Sequence, residues 1–431
     1  HMSSTDRSGA ETWECVARSN PQAQILQAMK GMKTLRSGRK WIYVLLLMGL
    51  LGLSGCGSPS SASMDTSAEA TSEITQAAET TQEERTELVK TGSMELQYAE
   101  NFAVDYYEDG YKMLTTLPDS KRYLLVPEGQ PVPKGLDEDV SILQEPLQNI
   151  YLVASGVMDM FASVDAVDQI RFSGQKQENW YIQTAKDAMA AGDMIYAGKY
   201  SKPDYELLVS EGCDLAIENR MITHSPEVVE MLQSFDIPVM IEYSSYEQHP
   251  LGKVEWVKFF GALTGKEAKA EEAFAEQTEI LEEVESGEKT GKTIAFFYVT
   301  SNGLIQVRQS TDYIPKLIEL AGGRYIFENL EDSGSGRSTL NMQVEDFYAG
   351  AKDADILIYN SSIDGGVTTV DELIGKCNIL KDFKAVQEGQ VYCTTNDMYQ
   401  QSMAVGYLLQ DMHTVLTDDD TVKLRYLFLL Q

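Results

Sequence analysis

The sequence has few of the residues on which metal and disulfide chemistry depend. Its 431 residues include four histidines and five cysteines, and the cysteines form no CxxC pair and no dense, even spacing. This spacing argues against a disulfide scaffold and against a zinc ribbon. Positive charge is also scarce, because 35 Lys and Arg stand against 66 Asp and Glu, for a formal charge of −31 at pH 7. Such an acidic chain is not suited to binding a nucleic-acid backbone.

Sequence motifs of common enzymes are missing as well. The chain contains no G-x-S-x-G and no H-E-x-x-H. Residues 287–293, GEKTGKT, resemble a phosphate-binding loop, but three residues stand where four are needed, and the stretch precedes a strand instead of following one. We interpret Cys213, Cys377 and Cys393 as small buried residues rather than nucleophiles. The sequence therefore predicts neither an enzyme nor a resident cofactor.

The N-terminal region has the pattern of a bacterial lipoprotein signal. Basic residues between positions 33 and 40 precede an apolar run, Trp41–Leu53, which is shorter than the roughly 20 residues of a membrane-spanning helix. The run ends in Leu-Ser-Gly-Cys, which resembles a lipobox and predicts cleavage before Cys56 and lipid attachment to its thiol. The alternative is an uncleaved anchor in which this cysteine is incidental. The lipobox predicts a protein anchored at the outer face of the cytoplasmic membrane.

The chain divides into segments of different composition. We assign residues 1–28 to an upstream extension, 29–55 to the signal peptide and 56–91 to a flexible tether rich in Ser, Thr, Ala and Glu. The folded part follows as an N-terminal lobe at 92–251, helices that include a bridging helix at 252–287, and a C-terminal lobe at 288–431.

Strand and helix patterns alternate in both lobes, which is typical of an α/β fold. In the first lobe we expect a hairpin around Asp109-Gly110 and single strands at 122–127 and 142–155. In the second lobe we expect a strand pair in 293–308 and a final strand, QVYCTT, at 390–395. Between the lobes, residues 250–286 have a helical pattern broken near Thr264-Gly265, with one apolar face made of Ala268, Phe274, Ile280, Leu281 and Val284.

One pattern occurs in both lobes, in residues 203–219 and 343–360. In each, a glutamate opens a short helix, an acidic residue precedes an apolar strand, and an asparagine ends the strand. The residues are Glu206, Asp214 and Asn219 in the first lobe and Glu345, Asp355 and Asn360 in the second. Chance similarity between two βα units is the alternative to a true repeat.

Several of these stretches together resemble a known family. The lipobox, the paired strands, FFGALTGKEAKAEEAF and LIELAGG resemble the substrate-binding lipoproteins of ABC transporters that import iron–siderophore complexes, haem and cobalamin. The stretches SYEQHPLGKVEWVKFFG and VRQSTDYIPKLIELAGG look like a subset found in anaerobic Firmicutes. The resemblance covers residues 93–431.

The resemblance implies two Rossmann-like lobes joined by one rigid helix, for which Lys266 to Glu285 is the candidate, with a ligand in the cleft and small closure on binding. It implies a ferric siderophore as ligand, with a corrinoid or haem as alternatives, and a monomer that docks on an ABC permease through Glu206 and Glu345. The alternative for these two glutamates is a carboxylate favoured by the helix dipole. A surface enzyme on this scaffold and an adhesive lipoprotein remain alternatives from other classes.

Ligands of open α/β sheets bind at loops beyond the carboxyl ends of strands. Aromatic side chains there give large contact areas, and arginine gives charge-assisted contacts to an anionic chelate. The candidates are Trp180, Tyr181, Asn219, Arg220, Tyr243, Tyr246, Arg308, Tyr313, Asn360 and Tyr399. Arg308 is the strongest candidate, because it stands between a strand and a helix start. The alternatives are ordinary packing for the aromatics and a surface position for Arg308.

Direct metal binding is not predicted. The part of the chain after the lipobox contains His224, His249 and His413, and their spacing is not that of metal ligands. The three histidines would form a metal site only if the folded chain brought them close together in space.

Overall fold

The computed structural model describes residues 87–330 and 338–431. The predicted signal peptide, the lipidation site Cys56 and most of the tether lie outside these residues. The strands are β1 Lys90–Ser93, β2 Phe102–Tyr107, β3 Lys112–Thr116, β4 Lys121–Val126, β5 Val140–Gln144, β6 Ile150–Leu152, β7 Ile170–Ser173, β8 Ile195–Tyr196, β9 Gly198–Lys199, β10 Lys202–Pro203, β11 Leu215–Glu218, β12 Val239–Ile241, β13 Thr293–Val299, β14 Ile305–Arg308, β15 Arg324–Tyr325, β16 Thr339–Met342, β17 Ile356–Tyr359, β18 Val391–Thr394 and β19 Leu427–Leu429. The helices are α1 Val157–Ser163, α2 Gln183–Ala191, α3 Tyr205–Glu211, α4 Pro226–Ser234, α5 Pro250–Thr264, α6 Glu267–Glu285, α7 Tyr313–Leu320, α8 Val344–Ala351, α9 Val370–Lys376, α10 Lys384–Glu388 and α11 Val405–Thr417.

The first lobe contains a five-stranded parallel sheet in the order β12-β11-β6-β7-β8. Its central strands β6 and β11 are buried along their whole length, as expected for a sheet covered on both faces. Helices α1 to α4 connect successive strands of this part of the chain. This arrangement confirms the predicted Rossmann-like lobe.

A second sheet, not expected from the sequence, precedes the parallel one. Strands β1 to β5 pair in chain order, all antiparallel except β4 with β5. The predicted hairpin joins β2 and β3 at Asp109 and Gly110, both of which have positive φ. One face of this sheet packs on α5, where the Phe102 ring lies 4.9 Å from the Trp256 ring.

Two predicted boundaries in this region are wrong. Residues 142–155 do not form one strand, because β5 and β6 belong to different sheets and Pro146, which has no N–H to donate to a sheet, lies between them. The tether was expected to reach residue 91, whereas β1 begins at Lys90.

Two consecutive helices, α5 and α6, lead from the first lobe to the second. They are separated at Gly265, whose φ of +71° ends α5 at the predicted break. Helix α5 is buried on all sides over Pro250–Leu263. On α6, Phe274, Leu281 and Val284 are buried as predicted. Ala268 was also expected on this face but is exposed, and Ala270 is buried instead.

The second lobe is built on a seven-stranded mixed sheet in the order β16-β14-β13-β17-β18-β19, with β15 also paired to β13. Strands β15 and β17 both pair parallel to β13, and β18 pairs parallel to β17. The expected pair of β13 and β14 is antiparallel. The stretch QVYCTT does form a strand, β18, but it is not the last one, because β19 returns antiparallel to it.

The repeated sequence pattern forms the same local structure in both lobes. Asp214 accepts hydrogen bonds from the backbone N–H groups of Gln148 and Asn149, next to β6. Asp355 likewise accepts one from the N–H of Thr293 at the start of β13. Each acidic residue therefore ties the beginning of its own strand to the beginning of the neighbouring central strand.

The three described cysteines, Cys213, Cys377 and Cys393, are free thiols, and Cys377 and Cys393 are buried. Within residues 87–330 and 338–431, no helix combines the length and the apolar character needed to cross a membrane.

Candidate functional site

Loops at the carboxyl ends of the strands present apolar side chains to solvent. Tyr181 follows β7, Met221 follows β11, Tyr246 follows β12 and Ile363 follows β17. Their exposed fractions are 47%, 49%, 37% and 57%. In open α/β sheets, loops at the carboxyl ends of strands are where ligands bind, and exposed apolar side chains there are candidates for such contacts. Three of these loops belong to the first lobe and one to the second.

The segment 397–404 of the second lobe contacts the first lobe beside these loops. The Gln400 side chain accepts a hydrogen bond from the Tyr181 N–H at 2.7 Å and donates one to the Asn179 carbonyl at 2.8 Å. The Met403 N–H donates to the Asp159 carboxylate at 2.8 Å, and burial raises the pKa of that carboxyl to about 6. The two lobes are thus in direct polar contact at this edge.

Arg308 is the last residue of β14 in the second lobe, and its contacts are made mainly with that lobe. Its Nη2 donates to the Tyr399 hydroxyl at 2.5 Å, and its Nη1 is 3.4 Å from the Asp312 carboxylate. Its guanidinium is 5.7 Å from the centre of the Phe296 ring. Burial by itself lowers the pKa of Arg308, but Tyr399 and Asp312 outweigh this and raise it above its usual value. Arg308 is therefore a charged, largely buried donor rather than a surface arginine.

A second cation, Lys253 on α5, lies close to Arg308 and was not predicted from the sequence. Its ammonium group is 4.5 Å from the centre of the Tyr313 ring. Burial lowers the pKa of Lys253; Tyr399, Glu242 and Asp312 act against this, and the charge of Arg308 adds to it. Burial raises the pKa of Asp312, which receives the Ile314 N–H at the start of α7. Lys253, Arg308, Asp312, Tyr313 and Tyr399 form what we call the interlobe cluster.

A signal for Lys253 is present in the sequence. Helix α5 reads PLGKVEWVKFFGALT and is apolar apart from Lys253, Glu255 and Lys258, three charges in a helix that is buried on all sides. Buried charges are stable only when they are paired or when a ligand completes their contacts. The lack of any polar face on this helix could therefore have indicated that its charges have specific partners.

Two of the predicted residues, Arg220 and Tyr246, pack against each other in loops that follow β11 and β12. The Arg220 guanidinium lies 4.4 Å from the centre of the Tyr246 ring. Tyr243 stands between β12 and this pair but is buried, and its ring is 6.4 Å from that of Tyr246. Tyr246 is therefore partly exposed beside Arg220, whereas Tyr243 is buried; a contact of any of the three with a ligand stays a prediction.

Trp180 requires a correction. Its side chain is fully buried in the first lobe, and its Nε1–H donates to the Ser173 hydroxyl at 3.0 Å. A side chain with no exposed surface does not line a cleft, so Trp180 is a core residue, while the adjacent Tyr181 is exposed.

The two predicted asparagines have local roles in the backbone. The Asn219 side chain accepts the Met221 N–H at 2.9 Å, and the Asn360 side chain accepts the Ser362 N–H at 3.0 Å. Each asparagine thus turns the chain sharply where a strand ends. This explains why both strands end on a polar residue; a contact of either asparagine with a ligand stays a prediction.

The three histidines of the described residues have separate surroundings. His224 is exposed, His249 caps α5 by accepting the Leu251 N–H, and His413 bonds the Ala321 carbonyl. In the described part of the chain, no three His, Cys, Asp or Glu side chains are grouped so that they could hold a metal ion.

The predicted docking glutamates occupy equivalent positions. Glu206 lies in the first turn of α3 and Glu345 in the first turn of α8, and both are exposed. Each helix leads into the strand of its lobe that carries the repeated aspartate. Their role in docking stays a prediction.

A pair of buried carboxylates outside the cleft was also missed from the sequence. Glu255 accepts the N–H groups of Gln97, Tyr98 and Ala99, and Glu247 accepts those of Glu100 and Asn101. These bonds attach the N-terminal sheet to α5, so they stabilise the scaffold and not the ligand site itself.

Comparison with known proteins identifies the fold. No protein-family model matches the chain. A periplasmic haem-binding protein from Pseudomonas aeruginosa matches with a TM-score of 0.51 at 12% identity, over 66% of this chain and 98% of that protein. An ABC-type Fe3+-hydroxamate transport protein from Saccharomonospora viridis matches with a TM-score of 0.50 at 16% identity, over 63% of this chain and 93% of that protein. The chain has the class III periplasmic-binding-protein fold.

This fold is the one that the sequence resemblance implied, with two α/β lobes joined by one long helix; the candidate for that helix is α6. Relatives with similar sequences come from Methanocaldococcus jannaschii. The uncharacterized lipoproteins MJ0878 and MJ0872 are each 24% identical, over 74% of this chain and 81% and 82% of their own lengths. The exposed loops follow strands of both lobes, whereas the interlobe cluster is formed by α5 and by residues that end or follow β14 and β18 of the second lobe.

Proposed function

We propose that the chain is the extracytoplasmic solute receptor of an ABC importer, anchored by lipid on Cys56. Its fold is that of periplasmic binding proteins, its N-terminal sequence resembles a lipoprotein signal, and relatives matched over most of its length are named lipoproteins. The receptor holds a solute between its lobes and presents it to a permease, with Glu206 and Glu345 as the docking residues. No bond is broken in this process.

We propose an iron chelate, a ferric siderophore in the first instance, as the solute. The observation that carries this proposal is a largely buried, charged Arg308 beside Asp312, in a fold whose strand-end loops expose Tyr181 and Tyr246. A buried guanidinium binds an anionic chelate through charge-assisted hydrogen bonds, while flat rings such as Tyr181 and Tyr246 contact its organic part. Proteins of the same fold are named for haem and for Fe3+-hydroxamate, so haem and a corrinoid are included as outcomes of the test.

The test is a thermal-shift screen of the chain with ferric catecholate and hydroxamate siderophores, haem, cobalamin and divalent metal ions. A solute at 100 times its dissociation constant stabilises the folded protein by about 2.7 kcal/mol, which gives a clear shift of the melting temperature. The shift is expected to disappear in Arg308→Ala and to persist in Arg324→Ala, which removes an arginine with a 59% exposed side chain.

The outcomes separate the alternatives. A shift with haem or cobalamin alone retains the receptor and replaces the solute. A shift that persists unchanged in Arg308→Ala refutes this arginine as a ligand contact. No shift with any of these solutes contradicts the proposed function.

A further inference from the structure

The side chain of Gln400, in the second lobe, bonds the main chain of the first lobe at two places. Its amide oxygen accepts the N–H of Tyr181 at 2.7 Å, and its amide nitrogen donates to the carbonyl of Asn179 at 2.8 Å. Both partners belong to the loop that joins β7 to α2. Because one buried amide uses its donor and its acceptor on the same loop, it fixes the orientation of that loop as well as its distance.

The bonded loop turns two neighbouring aromatic residues in opposite directions. Trp180 is fully buried and donates to the Ser173 hydroxyl at 3.0 Å, so it anchors the loop within the first lobe. Tyr181 is 47% exposed. The direction of the exposed ring therefore depends on where Gln400 holds the main chain of Tyr181.

Gln400 is placed by neighbours that are bonded within the second lobe. The hydroxyl of Tyr399 accepts a hydrogen bond from Arg308 Nη2 at 2.5 Å. The side chain of Gln401 accepts one from the hydroxyl of Tyr426, also at 2.5 Å. Gln400 lies between these two anchored residues and is expected to move with the second lobe. The bonded loop is thus attached to both lobes at once.

Gly156 allows the lobes to approach each other at this place. Its φ of −67° and ψ of −18° are right-handed helical values that any residue adopts, so the backbone does not require glycine. A Cβ atom would lie 3.1 Å from the Ser402 hydroxyl oxygen and 3.7 Å from the Tyr399 carbonyl oxygen. A branched side chain would push these two residues away from the first lobe. Since they lie on either side of Gln400, the small size of Gly156 keeps Gln400 within reach of its partners.

We propose that Gln400 is a positioning residue of the solute site, which holds the Tyr181 ring against the solute from the opposite lobe. The inference rests on the proposed function, in which this ring contacts the organic part of the chelate. Such a contact is firm only while the lobes are together. Separation of the lobes breaks both bonds of Gln400, frees the loop and weakens the hold on the solute.

The first arm of the test needs no solute. Gln400→Leu removes both hydrogen bonds, and exchange of the Tyr181 amide in the ligand-free chain is expected to become about tenfold faster. Gln400→Glu keeps the acceptor but loses the donor, so its effect is expected to be intermediate. Gly156→Val is expected to speed the same exchange with the Gln400 side chain intact. The matched control Gln387→Leu removes an exposed glutamine and is expected to leave this exchange unchanged.

The second arm is a double-mutant cycle with ferrioxamine B, ferric enterobactin, haem and cyanocobalamin as probes. For a probe that binds the wild type, Gln400→Leu is expected to raise the dissociation constant about tenfold. Tyr181→Ala removes the ring and keeps the main-chain N–H. In that background, Gln400→Leu is expected to raise the dissociation constant less than about twofold, because the group that it positions is gone. A merely structural role of Gln400 would give the same loss of affinity in both backgrounds.

The inference is overturned if Gln400→Leu leaves exchange of the Tyr181 amide at the wild-type rate, or leaves the affinity for the probe unchanged. It is also overturned if the loss of affinity is equal with and without the Tyr181 ring. Wild-type exchange in Gly156→Val would refute the role given to the close approach of the lobes. Failure of all four probes to bind the wild type overturns the proposed function and this inference with it, and the exchange rates then show only whether Gln400 holds the loop.

Discussion

Glu255 attaches the N-terminal sheet to helix α5, and its removal is expected to weaken the first lobe. The wholly buried carboxylate accepts the N–H groups of Gln97, Tyr98 and Ala99 at 2.9, 2.8 and 2.9 Å. The ammonium group of Lys258 is 3.4 Å away. Glu255→Ala therefore leaves three backbone donors and one buried cation without this acceptor.

The expected loss follows from these contacts. Removing one partner of a buried charged pair costs about 3–5 kcal/mol in the free energy of unfolding, and we expect a value in this range for Glu255→Ala. Glu255→Gln retains one acceptor oxygen and is expected to lose about half as much. The control is Glu271→Gln, because Glu271 is 3.0 Å from the same Lys258 but 60% exposed, and its loss is expected to stay below about 1 kcal/mol.

The assay combines urea unfolding of the chain, followed by circular dichroism, with hydrogen exchange of the amides of residues 97–99. Glu255→Ala is expected to unfold at a lower urea concentration than Glu271→Gln, with faster exchange at those three amides. Equal midpoints for the two variants, together with unchanged exchange, would refute the claim that Glu255 holds the N-terminal sheet in place.

Three further changes have defined outcomes. Burial raises the pKa of Glu218 to about 8 from 4.5, so the folded protein binds an extra proton between these values and loses stability as the pH rises through them; Glu218→Met is expected to remove this loss in urea unfolding at pH 5 and pH 8. Burial likewise raises the pKa of Asp159 to about 6 from 3.8, and Asp159→Asn is expected to flatten the fall in stability over that window while still accepting the Met403 N–H. Gly198→Ala is expected to lower the melting temperature, because φ is +89° and a Cβ atom would lie 2.2 Å from the Lys202 carbonyl oxygen.

Each of these outcomes can fail separately. An unchanged dependence of stability on pH in Glu218→Met would mean that this carboxyl is not the group that titrates. The same holds for Asp159→Asn at lower pH. A wild-type melting temperature in Gly198→Ala would show that the hairpin of β9 and β10 contributes nothing to stability.

The features predicted correctly from the sequence are those encoded by local chemistry. Gly265 ends α5 because glycine tolerates the left-handed conformation, and the break is visible in the residue order. The aspartates and asparagines that flank β11 and β17 act on residues near strand ends, so their repetition in sequence matched their repetition in structure. Arg308 was singled out because it stands between a strand and a helix start; the structure shows it beside Asp312, and its contact with a ligand stays a prediction.

The missed features depend on contacts between distant parts of the chain. Glu255 bonds a backbone N–H that is 158 positions away, which no periodicity reveals. Lys253 on α5 and Arg308 at the end of β14 come close only in the folded chain, because different elements carry them. Trp180 was wrongly predicted to contact a ligand because it is next to Tyr181 in the sequence. Tyr181 is exposed, whereas Trp180 is buried in the core and bonded to Ser173.

The central claim is that one solute is held by both lobes at once. The most direct measurement is hydrogen exchange of the chain with and without the chelate that raises its melting temperature. The account predicts slower exchange in both lobes together, at residues 219–221 and 243–246 of the first and at 308–313 and 397–402 of the second. Protection confined to one lobe, or located away from these segments, would contradict binding in the cleft.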